Sequence, residues 1–132
     1  MKRIRIVALL AGLGTDLIGT IVFALVLSFF FVARHVHHGD SFELVLERLN
    51  SDVPFLVLGY FVGIAFTFIG AYVTARLSRP HSLLNTLIFG LVCTVTGFLF
   101  VTINPLWYTI LCELTMLPVS LVPGYVVQRG TV

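Results

Sequence analysis

The stretch PFLVLGYFVGIAFTFIGAYVTARLSRPHS, residues 54–82, decides the architecture. It carries no charge from Pro54 to Ala75, then meets Arg76, Arg79 and a proline. An uncharged run of this length matches the roughly 20 residues a helix needs to cross a ~30 Å hydrocarbon core. The stop is equally legible. Pro80 cannot continue a helix, and Ser82 is placed to cap the next one. The segment therefore reads as a membrane span from Pro54 to Leu77 and a tight turn over 78–82.

The same reading extends outward in both directions. Apolar runs over about Ile4–Val32, Leu83–Thr102 and Leu106–Val127 give three more spans, the last two joined at Asn104-Pro105. Of the 132 residues, 58% are hydrophobic and 11% are charged, too little polar material to coat a soluble domain. The expectation is an all-α, polytopic four-helix bundle, a single transmembrane domain over residues 1–132. Lys2, Arg3 and Arg5 precede the first run as in a signal peptide. That run is longer than an h-region and contains Asp16, so it reads as a retained span.

Orientation follows from the basic residues. Lys2, Arg3, Arg5, Arg76, Arg79 and Arg129 fall on one side, and only Arg34 and Arg48 on the other. The positive-inside rule puts both termini and the 78–82 turn in the cytoplasm of a cell with an inner (plasma) membrane. Trp107 and Tyr108 then mark the outer interface, with Tyr72 and Tyr125 near the inner one. The one sizeable loop, 33–53, holds Phe42, Val45, Leu46 and Leu49 at helical spacing, which predicts an amphipathic surface helix over 41–50. Asp40 and Glu43 resemble a capping box with Asp40 as the cap. The helix serves as a tether between spans or as a docking element for a partner.

Glycines mark the helix contacts. Gly12/Gly19, Gly63/Gly70 and Gly90/Gly97 are pairs seven apart, two helical turns, so each pair lies on one side of its helix. Gly59 adds a Gly-x-x-x-Gly step before Gly63. These glycines predict close contacts within the chain or at a dimer face. They also outline a faint repeat. The first and third spans share the Gly-Leu-x5-Gly pattern, and the second and fourth both end Tyr-Val-x-x-Arg, at Tyr72–Arg76 and Tyr125–Arg129. Two related hairpins about an axis along the membrane normal would give this pattern. Pro118 and Pro123 are expected to bend the last span, with Ser120 helping to satisfy freed carbonyls.

Asp16 and Glu113 are the candidate functional residues. Both fall near the bilayer midplane, about twelve residues into the first span and about seven into the fourth. A charge there costs at least ~2.5–3.5 kcal/mol, so such a group faces the bundle and finds a partner. Asp16 shares a stripe with Gly12, Gly19 and Thr20, and Glu113 shares one with Thr109, Ser120 and Gly124. Thr20, Thr94, Thr109 and Ser120 are the hydroxyls available in support. If the stripes meet, the carboxyls share a proton and set helix register, or form a proton- or cation-coupled site.

No nucleophile-and-base set accompanies the two acids, so no enzyme is expected. Nor is a cofactor or nucleic acid. Cys93 and Cys112 read as small buried packers. His35-x-His37-His38 beside Asp40 is the nearest metal-like feature and reads as interfacial histidines rather than a metal site.

From Gly70 through Gly97, the Gly-x-Tyr-Val-x-Ala-Arg end, the basic turn with its proline and the Gly-x6-Gly helix resemble small uncharacterised bacterial four-helix membrane proteins. The resemblance implies four spans and an inner-membrane location, and no activity. Asp16-Leu17-Ile18-Gly19-Thr20 is similar to the acidic-x-x-Gly-Thr stretch in the first helix of small multidrug resistance transporters. That likeness implies a proton- and cation-binding role for Asp16 in a transporter built from two subunits. This chain departs from the family in having aspartate there, a long loop after the first helix and Glu113 as a further acid. The leading expectation is a small non-enzymatic membrane subunit that packs with itself or with a membrane partner. The alternative is a proton- or cation-coupled transporter working as an oligomer.

Overall fold

A computed structural model of the chain describes residues 4–35, 40–99 and 104–130. His37, His38, the side chain of His35, Lys2, Arg3 and the end of the third span at 100–102 lie outside the described residues. The described chain is all-helical: α1 Ile6–His35, α2 Phe42–Ser51, α3 Val53–Leu77, α4 Ser82–Phe98 and α5 Leu106–Arg129. Three helices, α1, α3 and α5, are long and apolar enough to cross a membrane. The described 17 residues of α4 make a shorter apolar helix, about 26 Å at 1.5 Å per residue.

The burial pattern is inverted relative to a soluble protein. Ile6, Leu10, Leu17, Ile18, Leu25 and Phe29 on α1, Phe61 on α3 and Leu114 on α5 are exposed. Among the side chains buried inside are Thr67, Thr74, Ser78, Ser82, Asn85, Thr86, Thr109, Glu113 and Ser120. In water this arrangement would forfeit the hydrophobic drive. In a bilayer it is the stable one, because the apolar surface meets acyl chains and the polar groups pair inside. A small apolar core of Ala71, Phe89 and Cys93 is flanked by Leu9, Leu13 and Met116.

The helices form two hairpins, α1 with α3 and α4 with α5, joined by an α3–α5 contact; α4 also reaches α3 and, more sparsely, α1. Glycines set the approach within each hairpin. A β-carbon on Gly12 would overlap the Thr74 side chain and the Gly70 carbonyl oxygen, and one on Gly19 would overlap the Phe66 ring. In the second hairpin, one on Gly90 would overlap Ser120 and one on Gly97 the Glu113 carboxyl. Both first helices thus turn their glycine pair toward the second helix of their own hairpin. The shared helix ends also adopt one local structure. The Arg76 guanidinium lies 5.4 Å from the Tyr72 ring centroid, and that of Arg129 lies 4.3 Å from Tyr125.

Of the two contacts expected at Gly63, within the chain or at a dimer face, the first is not made. A β-carbon there would meet nothing within 4 Å among the described residues, so Gly63 packs against no neighbouring helix. Gly59 approaches only the Tyr108 hydroxyl, 3.3 Å from the added carbon. A stripe of glycines identifies a helix face, but the glycines at one end of that face can still lie where the neighbouring helix has diverged.

The arginine-bearing end of the bundle is closed by hydrogen bonds. The Arg5 amide donates to Asn85 Oδ1 at 2.9 Å and its guanidinium to the Leu77 carbonyl at 3.1 Å, a cation at a helix C-terminus. Thr74 Oγ1 donates to the Ala8 carbonyl at 3.3 Å. Ser82 does not cap α4. The cap residue is His81, and the Ser82 hydroxyl instead donates across to the Gly124 carbonyl at 3.0 Å. In α5 the Ser120 hydroxyl donates to Leu117 O at 2.9 Å rather than to the carbonyls of Leu114 and Val119 that Pro118 and Pro123 leave free.

At the other end, the 33–53 loop contains α2 much as its periodicity predicts, with a different cap. Ser41, not Asp40, accepts from the Leu44 amide, and Asp40 pairs with Arg48 at 3.0 Å. Asp52 ends α2 and also caps α3 through the Phe55 amide at 2.9 Å. A tilted contact between the Phe31 and Phe55 rings, 5.2 Å between centroids, ties the top of α1 to α3.

Candidate functional site at the cleft between α1 and α4

Asp16 shares its helix face with Gly12 and Gly19, so the glycines that draw α1 onto α3 also bring the carboxyl inward. An added β-carbon on Gly70 would stand 3.0 Å from Asp16 Cβ. Thr67 Oγ1 on α3 lies 3.2 Å from Asp16 Oδ1, and Cys93 Sγ on α4 lies 3.5 Å from Oδ2, each placed to donate. Three helices therefore meet at one carboxyl group.

The carboxyl is only partly covered. It lines a cavity of about 340 Å³ between α1 and α4, with Thr20, Gly63, Thr67, Cys93 and Met116 among its walls. α1 and α4 contact each other sparsely, through Arg5 and Asn85 at the arginine end and Asp16 and Cys93 at the cavity wall. A second cavity, about 160 Å³, shares Thr20, Gly63, Thr67 and Met116 with the first and runs between α3 and α5 to Tyr108 and Cys112. The absence of a side chain at Gly63 opens both.

Glu113 occupies a different place. It is 8% exposed, packed by α5 against α4, with its carboxyl over Gly97. Its Oε2 is buried with no hydrogen-bond partner among the described residues. No hydrogen bond joins it to Asp16 among those residues. The two acids instead attach to α4 one turn apart, Asp16 at Cys93 and Glu113 at Gly97. The two carboxyls therefore approach one face of α4 from different helices, with no hydrogen bond between them among the described residues.

The supporting hydroxyls divide in the same way. Thr20 lines both cavities. Thr109 donates to Pro105 O at 3.4 Å, and Thr94 Oγ1 is buried without a partner among the described residues. Thr67 is not among the residues the sequence singles out, and Cys93 reads there as a small buried packer. Both extend a stripe already in view: Thr67 lies one turn from Gly63 and Cys93 one turn from Gly90 and Gly97. The signal was a donor-bearing residue on a glycine face. Among the described residues, no three His, Cys, Asp or Glu side chains gather where a metal ion could be held.

Comparisons with protein-family models, with curated proteins and with solved structures found no match.

Proposed function

We propose that the chain is a non-enzymatic, four-span inner-membrane protein that works by packing through the α1–α4 cleft against a second copy or a partner membrane subunit. The observation that carries this reading is the partly covered Asp16 in a cleft open to the side of the bundle. Facing acyl chains, a carboxyl costs at least ~2.5–3.5 kcal/mol when charged. A transmembrane segment seated in the cleft removes that cost and supplies the contacts that Gly63 lacks within the chain. Sizing in mild detergent, combined with cross-linking from cysteine at position 17 beside the cleft in a variant lacking Cys93 and Cys112, tests it. The expected result is a cross-link to a second copy or to one stoichiometric membrane partner. A monomer without cross-links would sink the proposal.

Under this reading α4 also crosses the membrane, as the third of four spans in chain order, and both termini with the 78–82 turn are cytoplasmic. Arg5, Arg76, Arg79 and Arg129 support that orientation, since hydrogen bonds gather their segments at one end of the bundle. A cysteine at position 45 of α2, in the same cysteine-free background, is expected to react with an impermeant maleimide added outside whole cells. Labelling only after the cytoplasmic face is opened would reverse the topology.

A proton- or cation-coupled transporter is the second reading, favoured by the donors around Asp16. A carboxyl held by a hydroxyl and a thiol at the wall of a cavity is a workable proton or cation site. One bundle encloses little path, so two or more copies would complete it.

A further inference from the structure

A third cavity, about 360 Å³, lies at the arginine end, away from the Asp16 cleft. Its walls are the N-terminal half of α4 and the C-terminal half of α5. The turn residues Pro80 and His81, with Gln128, form its polar end. Leu84 and Leu87 on α4 and Leu121 on α5 form an apolar channel that runs from there toward the membrane interior. From His81 to Leu87 the channel extends about 9 Å along α4.

The charge around this end has one sign. Arg5, Arg76, Arg79 and Arg129 stand here, while the chain's six Asp and Glu residues are Asp16 and Glu113 within the bundle and Asp40, Glu43, Glu47 and Asp52 at the opposite end. Arg79 precedes the lining residues Pro80 and His81 in the turn, and its Nε is buried with no hydrogen-bond partner among the described residues. The cap residue of α4, His81, makes no side-chain cap hydrogen bond, and the helix presents the positive end of its dipole there. A polar mouth on an apolar channel, at the end of the bundle where the arginines stand, fits an amphiphile with a negative head.

We propose that the groove between the start of α4 and the end of α5 binds one anionic phospholipid. Its phosphate sits at the Arg79-Pro80-His81 turn and an acyl chain lies along Leu84, Leu87 and Leu121. The mostly leucine lining argues for a lipid over free phosphate, and arginines with no acidic partner among the described residues for an anionic head over a zwitterionic one. The inference rests on membrane embedding and is independent of what fills the Asp16 cleft.

Native mass spectrometry of the delipidated protein, titrated with dioleoyl phosphatidylglycerol, dioleoyl phosphatidylcholine or inorganic phosphate, tests this. Phosphatidylglycerol is expected to bind once per chain, at least about fivefold tighter than phosphatidylcholine, with no comparable binding of phosphate. Arg79→Gln should weaken phosphatidylglycerol about fivefold, and Arg76→Gln, which removes a charge stacked on Tyr72 outside the groove, should leave it unchanged. Leu87→Trp fills the channel at a partly exposed position without touching a charge, and should weaken binding as much. Equal affinity for the two lipids, phosphate binding as tightly as lipid, an Arg76→Gln effect equal to that of Arg79→Gln, or full affinity in Leu87→Trp would each overturn the assignment.

Discussion

Gly12→Leu is expected to unfold in detergent far more readily than wild type, with a loss at or above the ~1–3 kcal/mol typical of overpacking. Even the first added carbon overlaps the Thr74 side chain and the Gly70 carbonyl oxygen. The carbonyl belongs to the α3 backbone and cannot swing away. Thr74 is also committed, since its hydroxyl holds the Ala8 carbonyl. A leucine at 12 therefore has to push α1 off α3, and Asp16, one turn further along, leaves Thr67 with it. Gly63→Leu is the matching control. The site is open among the described residues, so the stability of the single chain should stay within about 0.5 kcal/mol of wild type. Unfolding in sodium dodecyl sulfate followed by the fluorescence of Trp107 measures both. Equal midpoint shifts at 12 and 63 would show that the helices meet elsewhere.

The second large effect is expected at Asp16, and it separates the two functional readings. Asparagine keeps an oxygen that can accept from Thr67 and its amide can still meet Cys93, so Asp16→Asn should assemble with its partner as wild type does. Asp16→Leu removes both acceptors, which leaves the Cys93 thiol without its partner and the Thr67 hydroxyl with only the Met116 sulfur at 3.6 Å, a loss of about 1–3 kcal/mol. Assembly should fail in that variant. Proton-linked flux in vesicles discriminates further. Coupling needs a group that gains and loses a proton, which asparagine does not. An Asp16→Asn protein that assembles normally yet has lost a wild-type proton-linked uptake would replace the packing reading with the transport reading. Loss of assembly in Asp16→Asn itself would remove the packing reading's account of this residue. Glu113→Gln tests the other acid in the same assays. Its carboxyl rests over Gly97 outside both cavities, so assembly is expected to survive the exchange.

Much of the helix layout was legible because a bilayer constrains it strongly. Every backbone amide in hydrocarbon must be satisfied internally, so a long uncharged run becomes a helix and a charge or proline ends it. That is why α3 stops at Leu77 before Arg79-Pro80, and why α2 lies between the two apolar runs. Caps were less legible. Ser41 rather than Asp40 serves α2, and His81 rather than Ser82 precedes α4, because adjacent short polar residues compete and the choice depends on local backbone and on cross-helix partners such as the Gly124 carbonyl.

By itself the sequence determined where the apolar helices run, which residues share a helix face, and that Asp16 and Glu113 are the two acids within them. Periodicity and composition carry that information, since 3.6 residues per turn assigns faces without reference to any neighbour. Only the tertiary structure decided what each face meets. Gly12 and Gly70 lie on the α1–α3 contact, while Gly63, on the same helix as Gly70, opens onto a cavity. Asp16 and Glu113 come from different hairpins to neighbouring positions on α4, Cys93 and Gly97, with no hydrogen bond between them among the described residues. The docking found here ties α1 to α4 through contacts such as Arg5 with Asn85 and Asp16 with Cys93, which are distant in sequence and absent from any local pattern.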